Sequence, residues 1–175
     1  MMSMKKRSYR GTTFGGEKDL YDLAYAPGRF YALRAGETPA QYYRRIPAWM
    51  RAYFRPEMAD ATEFPLIEAY LYRAGDVKNK VKKYIRAGLS YWLNAEKVIY
   101  FAWHEANQSL RRAALEGRAW LRVTNDLGVV LEGRVIDHGP SGGMNDLVDM
   151  SPAAHRILSC DGKSKNIVSA ELFYT

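Results

Sequence analysis

The sequence has a single cysteine and no long apolar run, and both absences restrict what the protein can be. Cys160 alone excludes an intrachain disulfide framework and a zinc site built from several cysteines. No stretch approaches the run of about 18 apolar residues that a membrane-spanning helix needs, so no transmembrane helix is predicted. Residues 1–10 are basic but lack the apolar segment of a signal peptide, so we expect a cytoplasmic location at synthesis.

The sequence does contain enough apolar residues for a folded core and an uneven excess of positive charge. Of its 175 residues, 47% are hydrophobic, which excludes wholesale disorder and suits one domain of ordinary size. The net charge of +7 divides into +4 over residues 1–36, +5 over 37–118 and −2 over 119–175. Basic surfaces attract nucleic acid, anionic lipid or acidic cell-wall glycan, although a soluble domain can also simply be basic.

Two segments of different composition precede residue 37. Residues 1–10 are typical of a flexible basic arm. Residues 11–36 are rich in glycine and tyrosine and predict short strands at Arg10–Phe14 and Arg29–Leu33.

Residues 37–118 favour helices. Thr38-Pro39 is typical of an N-cap followed by a first helical residue, and Pro65–Ala74 predicts a short helix. From Asp76 onward apolar residues recur at three- and four-residue steps, which predicts one helix of about forty residues or two joined near Asn94. The apolar stripe consists of Val77, Val81, Tyr84, Ile85, Leu89, Trp92, Leu93, Ile99, Trp103, Ala106, Leu110 and Ala113.

From Ala119 the pattern changes to strands separated by turns. The expected elements are a hairpin of Trp120–Thr124 and Val129–Ile136, a glycine-rich loop over 137–145, a short helix opened by Ser151-Pro152, and a final strand at Ile167–Tyr174.

Four strings in these regions carry a family resemblance. They are Thr12–Asp19 (TTFGGEKD), Leu121–Asn125 (LRVTN), Val135–Pro140 (VIDHGP) and Leu147–Ala154 (LVDMSPAA). Together they resemble the double-psi β-barrel of the rare lipoprotein A and expansin-like group. In that group an Asp-x-Gly-Pro turn is followed, a dozen or so residues later, by an Ile/Val-Asp-Leu-Ser segment that opens a short helix.

The resemblance implies an α+β fold. A small six-stranded double-psi β-barrel would be formed by residues 11–36 and 119–175, and a large, mostly α-helical insertion would occupy 37–118. Glycan-cleaving members of the group pair the Asp-x-Gly-Pro aspartate with a histidine, which lies just before the Arg-Val-Thr-Asn strand. The corresponding stretch here, 109–117, contains arginines and no histidine.

The resemblance indicates Asp137 as a catalytic general acid/base. A carboxylate at a strand end can face a groove, where desolvation raises its pKa and lets it protonate a glycosidic oxygen. In a lytic transglycosylase the sugar's own 6-hydroxyl then attacks, so one such residue suffices. A hydrolase needs a second carboxylate, for which Asp19 and Asp149 are the candidates. His138 is the best replacement for the missing histidine.

Each of these carboxylates also has a structural interpretation. Asp137 could tie its own turn by accepting backbone N–H bonds. Asp149 lies just before the N-cap Ser151, where a negative charge favours the helix dipole. Asp19 lies in a loop, where carboxylates are more often solvated than catalytic.

Two loops contain the candidates for substrate binding. Tyr21 and Tyr25 could stack on sugar rings. Gly142 and Gly143, with Asn145, could let the backbone approach a ligand closely. The spacing of the aspartates does not fit an EF-hand loop and the histidines form no zincin motif, so we expect no metal and no cofactor.

Two functions of different classes follow. One is a glycan-cleaving, lytic transglycosylase-like enzyme that acts on peptidoglycan or another anionic polysaccharide. The other is a non-catalytic structural or glycan-binding module, with the barrel as scaffold and the insertion contacting a protein assembly. A phage origin, with association to the virion or release to the cell wall, would reconcile a wall-directed barrel with the lack of an export signal. Nucleic-acid binding ranks behind both, because no recognition motif supports it.

Overall fold

A computed structural model describes residues 2–4, 8–17, 19–20, 23, 31–72, 80–104, 107–139, 147–159, 164–165 and 167–175. The strands are β1 (Met2–Met4), β2 (Ser8–Thr13), β3 (Leu66–Tyr72), β4 (Lys80–Arg86), β5 (Tyr100–Trp103), β6 (Ala119–Asn125), β7 (Val130–His138), β8 (Leu147–Met150) and β9 (Ile167–Tyr174). The α-helices are α1 (Pro39–Arg45), α2 (Ala48–Arg51), α3 (Gln108–Leu115) and α4 (Pro152–Ser159), with 3₁₀ turns at Pro56–Ala59 and Leu89–Trp92. None of the described helices is long and apolar enough to cross a membrane.

Six strands close into a barrel. Their order is β2–β8–β5–β7–β6–β9, and β9 pairs back with β2. The β2–β8 and β5–β7 pairs are parallel, and the other neighbours are antiparallel. The short β1 pairs with the far end of β9, along the same edge as β2. The six-stranded barrel expected from the sequence is therefore confirmed, and its mixed strand directions are compatible with a double-psi barrel.

Alternate residues of the strands fill the barrel interior, which we call the barrel core. In β6, Ala119, Leu121 and Val123 are buried while Trp120 between them is exposed. This period of two is what a strand with one buried face requires. Helices α3 and α4 add buried side chains to the same core.

The prediction of one long helix from Asp76 is wrong, and so is the prediction of a large helical insertion. Lys80–Arg86 forms strand β4, and the only α-helix in the described part of this stretch is α3. The stripe rests largely on four-residue steps, such as Val81, Ile85 and Leu89. Four is an even number, so residues at that spacing share one face of a strand as readily as one face of a helix. The helix expected at Pro65–Ala74 is likewise replaced by β3.

Strand β5 belongs to the barrel although the sequence placed it in the insertion. It pairs with β7 on one side and β8 on the other. All four of its residues are buried, and an apolar run without alternation is typical of a strand covered on both faces. The segment 1–10, expected to be a flexible arm, likewise contributes β1 and the start of β2 to the sheet.

Helices α1 and α2 and both 3₁₀ turns pack into a second core on the outside of the barrel. Tyr100 of β5 and Ile136 of β7 belong to this second core, whereas Phe101 and Trp103 belong to the barrel core. Strands β5 and β7 therefore each contribute to both cores. The fully buried members of the second core are Tyr42, Ile46, Met58, Leu89, Leu93 and Tyr100.

Local signals at helix ends and turns are confirmed. Thr38 caps α1 in a full capping box with Gln41, and Pro39 is the first helical residue. Ser151 accepts the N–H of Ala154 at the start of α4. The hairpin of β6 and β7 and the final strand β9 also lie where the sequence predicts them.

Candidate functional site

Four strands align a row of residues across the barrel wall. Thr12 of β2 is opposite Asp149 of β8, Asp149 is opposite Ala102 of β5, and Ala102 is opposite Asp137 of β7. Aligned residues on neighbouring strands project to the same side of a sheet. That side is the outer one, because both neighbours of Asp149 in β8 belong to the barrel core.

An irregularity in β7 brings Asp137 into this row. Phe101 is opposite Val135, but the next residue of β5, Ala102, is opposite Asp137, so Ile136 is the extra residue of a bulge. Simple alternation would point Asp137 inward with Val135. Bulges re-aim side chains and are frequent beside active sites. Here the bulge turns Asp137 to the face that also carries Asp149.

The turn that follows Asp137 packs directly on Asp149. The N–H of Gly139 donates to the carbonyl of Trp103 at 3.2 Å, which holds the turn on the end of β5. A Cβ on Gly139 would lie 3.4 Å from Oδ2 of Asp149. Asp137 itself accepts the N–H of the next residue, His138, at 2.8 Å through Oδ1.

Asp19 approaches the same site from the first loop. Its Oδ2 accepts the N–H of Gly15 at 2.6 Å, and its own N–H donates to Gly16. Gly15 has φ of +87°, and a Cβ there would lie 2.2 Å from Oη of Tyr100. Only glycine satisfies both the left-handed backbone and this close approach. Gly15 thus fixes the loop that holds Asp19 against Tyr100.

Burial and nearby carboxylates favour the protonated forms of Asp149 and Tyr100. Burial raises the pKa of Asp149, and the charge of Asp19 raises it further, while the hydroxyl of Thr12, which donates to Oδ1, acts in the opposite direction. Burial also raises the pKa of Tyr100, with added effects of the charges on Asp19, Glu96 and Asp137. The Oη of Tyr100 donates to the carbonyl of Phe14 at 2.9 Å. Asp19 therefore acts on both Asp149 and Tyr100, and Asp137 acts on Tyr100.

Two histidines meet at the ends of β5 and β7. Nε2 of His138 donates to the backbone carbonyl of His104 at 2.9 Å, so this nitrogen carries a proton. The half-buried ring of His104 lies against Trp103, with centroids 4.6 Å apart. His138 follows Asp137 directly in β7, and Trp103 is the partner of His138 across the strands.

Sequence reasoning missed Thr12, Tyr100 and His104. The histidine that the family pattern requires was sought in 109–117, but those residues lie mostly in α3, and the strand that runs beside Asp137 is β5. His104 immediately follows that strand. The signal is present in the sequence: Val98–Trp103 is a run of β-branched and aromatic residues with one alanine, bounded by Lys97 and His104, which favours a short buried strand.

A surface cleft of about 620 Å³ begins at the loop that holds Asp19. Arg55 also lines the cleft, and its guanidinium lies 4.5 Å from the ring centroid of Tyr91 and 4.9 Å from that of Trp92. Stacking on these two rings holds the guanidinium in place. Its lining residues are Gly15, Gly16, Glu17, Arg55, Pro56, Glu57, Leu93, Asn94, Ala95, Glu96 and Lys97.

The candidates for substrate binding, Tyr21, Tyr25, Gly142, Gly143 and Asn145, lie outside the described residues. Within the described part of the chain, no group of three or more histidine, cysteine, aspartate or glutamate side chains is placed to hold a metal ion.

Compared with known proteins, the chain matches no family model, no curated protein and no solved structure. The family resemblance therefore depends on the four sequence strings and on the barrel itself.

Proposed function

We propose that the chain is a glycan-cleaving enzyme of the lytic transglycosylase type that acts on peptidoglycan, built on a double-psi barrel like that of the rare lipoprotein A group. The observation that supports this most strongly is the convergence of three carboxylates. Asp137 and Asp149 share the outer face of the barrel wall, and Asp19 acts electrostatically on Asp149 from the first loop. Gly15 and Gly16 of that loop line the cleft. In such a group one carboxyl can hold a proton while another is ionised, and acid/base catalysis requires this difference.

In this proposal Asp137 is the general acid and then the general base. Its proton passes to the glycosidic oxygen as the bond from C1 to that oxygen breaks. The 6-hydroxyl of the same sugar then bonds to C1 and returns its proton to Asp137. No water is consumed, and the product carries a 1,6-anhydro ring. One carboxyl group therefore completes the cycle.

The neighbouring groups support that step electrostatically. The transition state of glycoside cleavage resembles an oxocarbenium ion, so a carboxylate near the sugar stabilises its positive charge. Asp19 is held for this purpose by the N–H of Gly15. Asp149, with its raised pKa, retains a proton to higher pH and limits the repulsion within the group. The bond from His138 to His104 holds the end of β7 that carries Asp137.

The test is the product released from purified peptidoglycan by the full chain. We expect fragments with anhydro ends, identified by mass spectrometry as lighter by one water than hydrolysis products. Asp137→Asn should lower the rate by roughly 10²–10⁴-fold, the usual worth of a positioned acid/base group. Asp60→Asn, which alters an exposed aspartate outside the site, is the matched control and should leave the rate unchanged.

Two results would overturn the proposal. One is the absence of any fragment from several wall preparations, and the other is full activity in Asp137→Asn. Products with ordinary reducing ends would instead indicate hydrolysis, with Asp149 or Asp19 as the second carboxylate.

The second candidate is a non-catalytic glycan-binding or assembly module, for example in a virion or at the cell wall. The observation that favours it is the amount of structure outside the barrel, namely the second core and the separate sheet of β3 and β4. A chain that sediments with peptidoglycan but releases no fragment would support this candidate.

A further inference from the structure

Strands β3 and β4 form a two-stranded ribbon with two different faces. They pair antiparallel from Leu66 opposite Arg86 to Tyr72 opposite Lys80, in a sheet of their own. On one face Ile67, Val81 and Ile85 are half-buried. An isolated two-stranded ribbon is marginally stable in water, so this apolar face stabilises it. The other face is the one whose function is unexplained.

Large apolar and aromatic side chains are exposed on that second face. Leu66 is 68% exposed, Tyr70 is 60% exposed and Tyr84 is 65% exposed. Because Tyr70 is opposite Lys82 and Tyr84 is opposite Glu68, the two tyrosines are diagonal neighbours on the same face. Diagonal neighbours lie roughly 7–8 Å apart, so both rings can contact one extended chain.

Cations surround the two rings. Lys80, Lys82 and Arg86 are exposed on the same face, and Glu68 is the acidic residue among them. Nζ of Lys82 lies 2.6 Å from Oε2 of Glu68, and the guanidinium of Arg86 lies 4.9 Å from the ring centroid of Phe64 at the base of the ribbon. The face therefore combines two exposed rings with a modest positive charge.

We propose that this exposed face is a second carbohydrate-binding surface, which holds an anionic glycan strand by stacking sugar rings on Tyr70 and Tyr84 and by pairing carboxylates with Lys80 and Lys82. Aromatic rings stack on flat apolar faces, and sugar rings offer such faces through their C–H groups. The proposal rests on the proposed function for the identity of the glycan, namely peptidoglycan.

The mixed charge of the face favours a glycan over a nucleic acid. Nucleic acid carries a phosphate on every nucleotide and is bound by dense positive surfaces. Here the carboxylate of Glu68 lies between the rows of Lys82 and Arg86 and contacts Lys82, so it offsets part of the positive charge. A strand of sugar rings with sparse carboxylates fits such a surface better, since it needs stacking at each ring and only occasional ion pairing.

The test is co-sedimentation of the full chain with insoluble peptidoglycan, in an Asp137→Asn background so that the glycan is not consumed. Replacing both tyrosines by threonine keeps strand-forming residues and removes the rings. We expect this double variant to bind roughly tenfold more weakly. Replacing both by phenylalanine keeps the rings and should restore binding, which separates stacking from a folding defect.

The ribbon offers a matched control for charge. Lys83 is adjacent to Lys82 but lies on the opposite face, since it is the partner of Ala69. We expect Lys82→Gln to weaken binding by about threefold at low salt and Lys83→Gln to have no effect. Equal effects of the two substitutions would indicate general electrostatic attraction and would overturn a specific surface.

The outcomes separate this proposal from the proposed function. Unchanged binding by the threonine variant overturns the ribbon surface even if cleavage depends on Asp137. Loss of binding in that variant supports the surface even if no cleavage is found. Tighter binding of a thymidine oligonucleotide than of peptidoglycan, lost in the same variant, would overturn the glycan and assign the face to nucleic acid.

Discussion

The barrel core and the second core differ in what holds them together. The barrel is closed by a ring of paired strands, and its interior is largely aliphatic, with residues such as Leu121, Val123 and Val135. The second core has short helices and turns around a cluster rich in aromatic side chains, such as Tyr42 and Phe54. Backbone pairing therefore organises the first region, while side-chain packing and capping organise the second.

The difference shows how the candidate site is supported. Asp137 and Asp149 lie on the outer wall of the barrel, and Tyr100, two residues before Ala102 in β5, enters the second core. The second core thus fixes the outer face of β5 and, through Gly15 and Tyr100, the loop that carries Asp19. The barrel provides the alignment of the site and the second core provides its rigidity.

The largest expected effects come from removing equivalent side chains from the two cores. Leu121 in the barrel and Leu89 in the second core are both fully buried. Each substitution to alanine should lower the free energy of unfolding by about 2–5 kcal/mol. Because β5 belongs to both cores, we expect a single cooperative transition in urea, followed by fluorescence and circular dichroism. A separate early transition in Leu89→Ala alone would show that the cores unfold independently.

A smaller effect is expected at the ion pair beside the second core. Glu37 accepts from Nε and Nη2 of Arg45, at 2.7 and 2.8 Å. Glu37→Gln should cost on the order of 2 kcal/mol, less than a fully buried pair, because Arg45 also donates to the carbonyl of Ala32. Glu96→Gln, which breaks an exposed pair with Arg156, is the control and should cost about 0–1 kcal/mol.

The Glu37 pair also predicts a pH dependence. The hydrogen bond from Arg45 holds the pKa of Glu37 below its ordinary value. The unfolded chain therefore takes up this proton more readily, and the stabilisation is present above the unfolded pKa and lost as the pH falls through the folded one. Thermal unfolding across the acid range should show a steeper loss in the natural chain than in Glu37→Gln. Parallel curves would contradict this.

The hydrogen bond from Tyr100 to Phe14 should make a measurable contribution to stability. Tyr100→Phe removes the hydroxyl that donates to Phe14 but keeps the ring. We expect a loss of about 1 kcal/mol, the usual net value of one hydrogen bond, in urea unfolding. Tyr70→Phe, at an exposed position on the ribbon, should change nothing measurable. An equally small change at both would mean that this hydrogen bond contributes no stability.

The smallest expected effect is a gain in stability rather than a loss. Since the pKa of Asp149 is raised in the folded chain, its contribution to stability is full below the unfolded pKa and is lost as the pH rises through the folded one. Asp149→Asn should therefore raise the thermal midpoint slightly at neutral pH and leave it unchanged in acid. A lower midpoint at neutral pH would show instead that the carboxylate stabilises the fold.

Much of the barrel could be predicted from sequence because its signals are local. The alternation of apolar and polar residues in Ala119–Asn125 fits a strand with one buried face. Thr38 and Ser151 cap their helices through hydrogen bonds within one helical turn. The helical interpretation of Val81 and Ile85 was wrong because a four-residue step fits both periods. What decides between them is the partner strand β3, and pairing is a contact between distant residues.

Neighbours along the chain are enough to predict the periodic strands of the barrel, the capped helix ends and the aspartates as candidates. Contacts between distant segments make β5 a barrel strand, turn Asp137 outward through a bulge, align Asp149 with it and bring the charge of Asp19 to act on Asp149. The reason is physical: strand register and bulges are fixed by hydrogen bonds between segments far apart in sequence, and no local pattern encodes which segments will meet.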